Sequence, residues 1–278
     1  MEIQQASYYA AYIRRLGWQV ERIGGGYIYI KPFPFIGGLA KIQRTKTLPQ
    51  VSLLAPIISR FHIRTIAIEP DTSVNQSALR TWVRKVRRYA RVNTDYFLPT
   101  KTLRVDVTPS EDTIFGKLSE AKRRAVRRAE KFGIRVRVTD DIDTFIRLKN
   151  TSAGFLGFIT TAGVKKLWES IPRPKTAVLL AYAPGVSKPV AGIFLIFWNR
   201  LAYYWVAGAT KQGKKSFAPS LLVWEALRIS KARGCRALDF VGVWDDRQPE
   251  KNPEWKGFTK FKEGFGGSAV YYPLTPDP

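Results

Sequence analysis

Residues 119–138 read SEAKRRAVRRAEKFGIRVRV, and this stretch decides the fold class. An amphipathic run stops at Gly133, where a helix C-terminus needs a residue that tolerates the left-handed conformation, and an alternating strand follows at once. The same unit recurs as YYAAYIRRLGWQVERI around Gly17 and as WEALRISKARGCRALDF around Gly234. A fourth copy, LLAPIISRFHIRTIAIEP, has no glycine at the junction. Repeated helix-then-strand units spell an α/β protein.

Further strand signals are GYIYIKPF, TLRVDV, TAVLLAY, VAGIFLIFW, LAYYWVAGAT and SAVYYP. Residues 177–198, AVLLAYAPGVSKPVAGIFLIFW, read as two apolar strands about a Pro-Gly turn, an antiparallel hairpin that feeds the next strand. The sheets are therefore mixed. A boundary is expected between Pro99 and Thr108, after which the series of elements starts afresh. Gly24–Gly26 precedes a strand rather than a helix, so it marks a turn and not a dinucleotide loop.

Charge narrows the partners. The 278 residues carry 46 Lys plus Arg against 22 Asp plus Glu, a net charge of +24 with a pI near 10.3. Such a field attracts polyanions: nucleic acid, anionic headgroups or diphosphates. Seventeen basic and six acidic residues lie between Arg80 and Arg137. Two helices are predicted there, Ala78 to Arg91 and Gly116 to Phe132. The first has Leu79, Trp82, Val83, Val86 and Ala90 on one side. The second carries a stripe of Leu118, Ala121, Ala125, Ala129 and Phe132. The basic faces, including Arg123, Arg124, Arg127, Arg128 and Lys131, are either a track for a polyanion such as tRNA or two solvated surfaces.

Several chemistries drop out. His62 is the only imidazole, so no Ser-His-Asp or Cys-His arrangement exists. The single Cys235 excludes an internal disulfide and fits a reducing compartment. Asp239, Asp245 and Asp246 offer a general base or a metal pair, but a metal has too few companion ligands here, and Asp245 and Asp246 read as turn residues. The first residues show no basic-then-apolar leader, and no apolar run reaches the ~18 residues of a spanning helix. A cytoplasmic location is expected, with peripheral membrane contact at most. On strand LAYYWVAGAT, alternation sends Tyr204 to the face opposite Tyr203 and Trp205, one face core and the other open to a substrate.

From Thr102 onward the element order resembles the GNAT acyltransferase core. Where such enzymes hold the pyrophosphate of acyl-coenzyme A on a Q/R-x-x-G-x-G/A turn, this chain has KQGKKSFAPS, in which Lys215 stands in place of the glycine after Gln212. A coenzyme A donor is therefore not expected, nor any other cofactor.

Near the C-terminus, residues 255–267 read WKGFTKFKEGFGG, a stretch rich in glycine, lysine and aromatics that fits a catalytic loop or a solvated β-hairpin. With AKRRAVRRAEKFGIRV, LLVWEALRISKARGCRALDFVGV and, upstream, GWQVERI, LAKIQRT and RTIAIEP, it resembles the FemABX family of tRNA-dependent aminoacyltransferases. The resemblance implies two GNAT-like domains: a shortened first over 1–104, completed by the C-terminal strand 268–278, and a second over 105–267 with the Phe-Lys tail. It implies transfer of an amino acid from aminoacyl-tRNA to an amine of a peptidoglycan precursor, either UDP-MurNAc-pentapeptide or a lipid-linked form at the inner membrane face. The family's reacting Phe-Lys pair falls on Phe261 and Lys262. Lys260 and Lys256 would then face tRNA phosphates, and glycines 264, 266 and 267 would let a loop close; Tyr203 and Tyr204, on the strand read above, are the candidates for substrate contact. For the acceptor's diphosphate the family's first-domain lysine has Arg22 as its stand-in, and the arginine that helps hold the diphosphate is replaced by Gly154 in KNTSAGFLGF. A monomer is expected.

Overall fold

The computed structural model describes residues 2–154 and 157–276. Of KNTSAGFLGF, Phe155 and Leu156 lie outside the described residues, as do Asp277 and Pro278 of the expected final segment. The chain divides into two compact units, Met1–Lys101 with Val270–Pro278, and Thr102–Ala269.

The first unit runs α1 (Ser7–Arg15), β1 (Gln19–Ile23), β2 (Gly26–Lys31), β3 (Gly38–Gln43), α2 (Val51–Arg60), β4 (Ile63–Glu69), α3 (Gln76–Val86) and β5 (Arg91–Asn93). Its sheet has the order β1-β2-β3-β4-β5, antiparallel through β3 and parallel after it. β1 and β2 turn through Gly24 and Gly25, both at positive φ (56° and 80°), the requirement of a tight two-residue hairpin. Ile28, Ile30, Ile42, Ile66 and Ile68 bury against Leu54, Leu79 and Val83 of the helices.

The second unit comprises β6 (Lys101–Asp106), α4 (Glu111–Lys117), α5 (Glu120–Lys131), β7 (Arg135–Thr139), α6 (Ile142–Ser152), α7 (Val164–Ser170), β8 (Thr176–Tyr182), β9 (Ala191–Trp198), β10 (Leu201–Ala209), α8 (Lys211–Lys215), α9 (Ala218–Ala232), β11 (Ala237–Asp239), α10 (Lys256–Glu263) and β12 (Ser268–Tyr271). The sheet order is β12-β6-β11-β10-β9-β8-β7. β10 and β11 are parallel, and the predicted β8–β9 hairpin is present and antiparallel. The fold is α/β with two mixed sheets.

The glycine-closed helices have the predicted geometry. At the end of α5, Gly133 at φ 71° donates to the Glu130 carbonyl (2.9 Å), and Ile134 donates to Ala129 (3.0 Å). This paired bonding satisfies the helix's last carbonyls. Gly17 and Gly234 do the same at φ 79° and 70°. In the copy without glycine, His62 itself takes the left-handed position at φ 48°.

Three expectations are corrected. The helix expected over Gly116–Phe132 is two, broken at Leu118, because the Ser119 hydroxyl accepts from the Lys122 amide and starts α5 anew. Val126 therefore joins Ala125 and Ala129 in the buried stripe, while Phe132 is 52% exposed. The helix expected to reach Arg91 ends at Val86, and Arg91 opens β5. Residues 256–263, expected as a closing loop or a hairpin, form the helix α10, whose Phe258, Phe261 and Lys262 recur at helical spacing, with Phe265 just past its end.

Candidate functional site

The site lies in the second unit, where the sheet opens. β10 is nine residues long but pairs with β11 only across Leu201–Tyr203. β11 ends at Asp239, opposite Tyr203, and beyond it a bulge inserts an extra residue between Tyr204 and Val206 opposite β9. The bulge follows Tyr204, so Tyr203 and Tyr204 still face opposite sides as expected, and the register shifts beyond them. Tyr204, Ala207 and Ala209 line one cavity, while Tyr203 is 3% exposed and is not part of its lining.

Lys262 stands in the opening. From α10, its ammonium donates to the carbonyls of Phe240 (2.9 Å) and Gly242 (2.6 Å). One turn earlier, the Thr259 hydroxyl accepts from the Trp244 amide at 2.8 Å. The helix is thus stitched to the chain leaving β11. Rings of Phe258 (4.7 Å), Tyr204 and Phe240 (both 5.8 Å) surround the ammonium. Burial among them lowers the Lys262 pKa to about 8, countered in part by Asp239. Two of its three N–H groups are engaged, leaving one to point elsewhere.

The two carbonyls converge because of the backbone between them. Val241 has φ 64°, a costly conformation for a β-branched residue, and its amide donates to Asp239 Oδ1 at 2.7 Å. Asp239 is 2% exposed and also accepts from Thr102 Oγ1 and Arg104 Nε, each at 2.7 Å. Four contacts at most are open to a carboxylate, so Asp239 is an anchor for this turn and not a free base. Asp245 is likewise engaged by the amide and guanidinium of Arg247, as its turn reading requires. Among the described residues no group of three or more His, Cys, Asp and Glu side chains is placed to hold a metal.

Beside Lys262 lies a largely apolar cavity of about 570 Å³, bounded by Tyr204, Ala207, Phe217, Leu222, Phe258 and Phe261. Its cations are Lys122 and Lys214. Lys122 sits 3.8 Å above the Phe261 ring, and burial lowers its pKa. Lys149, on α6, is lowered by burial and then by Lys214. The structure thus gives Phe261 a place in the cavity wall, packed edge-on against the fully buried Phe265.

Sequence reasoning passed over Lys122, Lys149 and Lys214. Lys122 looked like one more charge on a basic face. Gly208, a glycine inside a strand, was the available signal for Lys149: an added Cβ would lie 2.9 Å from Ser152 Oγ and 3.0 Å from Lys149 Cδ, so glycine admits α6 there.

The other expected residues are dispersed. Lys260 and Lys256 are exposed on α10, Lys256 over the Trp244 ring at 4.5 Å. On α5, Arg124, Arg127, Arg128 and Lys131 are exposed, but Arg124 pairs with Glu120. Arg123 donates to the Gly116 and Leu118 carbonyls and so closes α4 rather than facing a ligand. Arg22 belongs to the first unit, exposed on β1 at 5.9 Å from the Tyr27 ring centre. Gly154 has φ 80° and open space around its Cβ direction.

The turn between β10 and α9 does not fit coenzyme A. Residues 211–215 coil into α8, whose Gly213 amide is taken by Thr210 Oγ1 (3.1 Å). Gly213 is pressed against Val190, whose carbonyl oxygen an added Cβ would approach to 2.2 Å. At the start of α9, Pro219 has no N–H and the Ser220 amide donates to Phe217. Few amides remain to cradle a pyrophosphate.

The acetyltransferase (GNAT) domain family matches residues 116–257, half of the chain, and the chain belongs to that family of acyl-transfer enzymes. Its fold as a whole is FemX-like. The crystal structure of FemX aligns with a TM-score of 0.78 over 98% of this chain and 90% of that chain, at 15% identity. The C-terminal domain of a putative lysylphosphatidylglycerol synthetase from Agrobacterium fabrum aligns at 0.63, over 99% and 89%, with 14% identity. L-PGS from Bacillus licheniformis aligns at 0.55, over 97% and 88%, with 12% identity. No curated protein matches the sequence.

Proposed function

We propose that the protein transfers an amino acid from aminoacyl-tRNA to an amine on the stem peptide of a peptidoglycan precursor. The observation that carries this reading is Lys262, a buried cation held by two carbonyls beside an apolar cavity that lacks a coenzyme A cradle. In the reaction the acceptor nitrogen bonds to the ester carbonyl carbon, the carbon–oxygen bond to the terminal ribose breaks, and the amine's proton ends on the departing ribose oxygen. The carbonyl oxygen becomes an oxyanion on the way. A fixed cation in a site shielded from water stabilises it, and one such donor is worth about 3 to 4 kcal/mol. Lys262 supplies that cation. Phe261 shapes the cavity that receives the donor, with Tyr204 opposite, and the exposed cations of α5 with Lys256 and Lys260 meet RNA phosphates. Arg22 is the cation assigned to the acceptor's diphosphate.

The test is incubation with a pool of labelled aminoacyl-tRNAs and UDP-MurNAc-pentapeptide or the lipid-linked precursor, with product followed by mass. Lys262→Met should lower transfer by about 10²- to 10³-fold while the protein stays folded and binds tRNA. Unchanged turnover in that variant would remove the mechanism, and stabilisation by micromolar coenzyme A would favour an acetyl donor instead.

A further inference from the structure

We infer that the loop between β2 and β3, residues 32–37, is a membrane anchor that inserts into the surface of an anionic lipid bilayer. The inference concerns the first unit alone and does not rest on the transfer reaction. The loop reads PFPFIG, and its Phe33, Phe35 and Ile36 are 41%, 101% and 65% exposed. Phe35 is bare at the tip. Three large apolar side chains within four residues are not the scattered exposed hydrophobics of an ordinary surface.

The tip is also built rather than loose. Pro32 and Pro34 fix two of its φ angles, the Ile36 amide donates to Pro34 (2.9 Å), and Phe35 is held at φ 68°. At its base the Gly38 amide donates to the His62 carbonyl at 2.8 Å. An added Cβ at Gly37 would lie 2.5 Å from Arg64 Cγ, so the Arg64 side chain lies directly against the loop.

Charge selects the partner. Arg64 and, at the end of α2, Arg60 are exposed beside His62. On the other side Lys31 donates to the Gly17 carbonyl (2.9 Å), which ties the loop to the end of α1 with its exposed Arg14 and Arg15. Glu21 is the acid among them, 3.6 Å from Arg60. An apolar tip above a base of arginine and lysine matches a bilayer whose headgroups are negative and whose interior is apolar, the pairing of two weak signals that makes peripheral binding stable. A purely electrostatic surface would need no aromatic tip.

The test uses the full chain and vesicles of phosphatidylcholine with or without roughly one third phosphatidylglycerol. Sedimentation should show binding to the anionic vesicles, and the triple variant Phe33→Ser, Phe35→Ser, Ile36→Ser should bind at least about tenfold more weakly with an unchanged melting temperature. A fluorophore placed on Ile36→Cys should shift to the blue on the anionic vesicles and be quenched by brominated acyl chains. Equal vesicle binding by the triple variant, or a fluorophore that stays in water, would overturn insertion. Absence of vesicle binding, with a concentration-dependent dimer that the triple variant loses, would assign the tip to a protein contact and overturn it equally.

Discussion

A lysine whose pKa is about 8 makes the role of Lys262 readable from pH. As an oxyanion stabiliser it must be protonated, so its contribution to the transfer rate should be full below pH 8 and be lost, giving a falling limb, as pH rises through that value. A base role would give the opposite limb, rising through pH 8, and the pH profile of single-turnover transfer distinguishes the two. Deprotonation of an acceptor amine also produces a rising limb, so a falling one reports the loss of the cation. Asp239 makes the neighbouring case. With Thr102, Arg104 and the Val241 amide all directed at it, Asp239→Ala leaves three donors unanswered in a buried turn. Urea unfolding should show a loss of about 3 kcal/mol.

Among the elements, the helix ends show how much one backbone position weighs. Gly234 has a left-handed φ and no atom within 4 Å of an added Cβ. Gly234→Ala should therefore cost about 1 kcal/mol through conformation alone. Gly133→Ala should cost more, because its Cβ would meet Pro184 at 2.9 Å. His62→Gly should run the other way, neutral or stabilising by up to about 1 kcal/mol, since His62 occupies the left-handed position that the chain's other three helix–strand junctions give to Gly17, Gly133 and Gly234. Thermal melts of the three variants decide the order. The basic helix α5 divides similarly. Arg123→Ala should lower stability by removing the cap on α4, whereas replacing Arg124, Arg127, Arg128 and Lys131 together should flatten the salt dependence of tRNA binding. A titration across salt concentrations should show the logarithmic slope reduced by roughly 3 if all four meet phosphates.

Over the whole molecule, β12 at 268–271, expected to complete the first unit, pairs instead at the edge of the second sheet, and it is the residues after it that bond within the first unit. Gln76 donates to the Leu274 carbonyl (2.7 Å), Arg87 to Pro276 (3.0 Å), and Thr275 to Ile68 (2.8 Å), while the Arg44 guanidinium stacks 3.3 Å from the Tyr272 ring centre. Deleting residues 270–278 should strip hydrogen-exchange protection from α3 and β4 and leave β8 and β9 protected, because the stability of separate units is local. Among the described residues no helix is long and apolar enough to cross a membrane.

The sequence by itself determined the α/β class, the glycine-closed helices and the central hairpin, since each depends on neighbours a few residues apart: apolar spacing, a left-handed cap, a Pro-Gly turn. It also singled out Phe261 and Lys262 through a family resemblance, without showing what surrounds them. That residues 256–263 coil into a helix came from the tertiary structure alone, in which Lys262 and, just past the helix end, Phe265 meet residues outside this stretch: Lys262 lies by Tyr204 and Phe240, and Phe265 against Phe240. It alone turned Lys122 from a surface charge into a cavity wall and Asp239 from a candidate base into an anchor. Burial and hydrogen-bond partners are set by strands and helices brought together from distant positions, and a pattern confined to neighbouring residues does not carry that information.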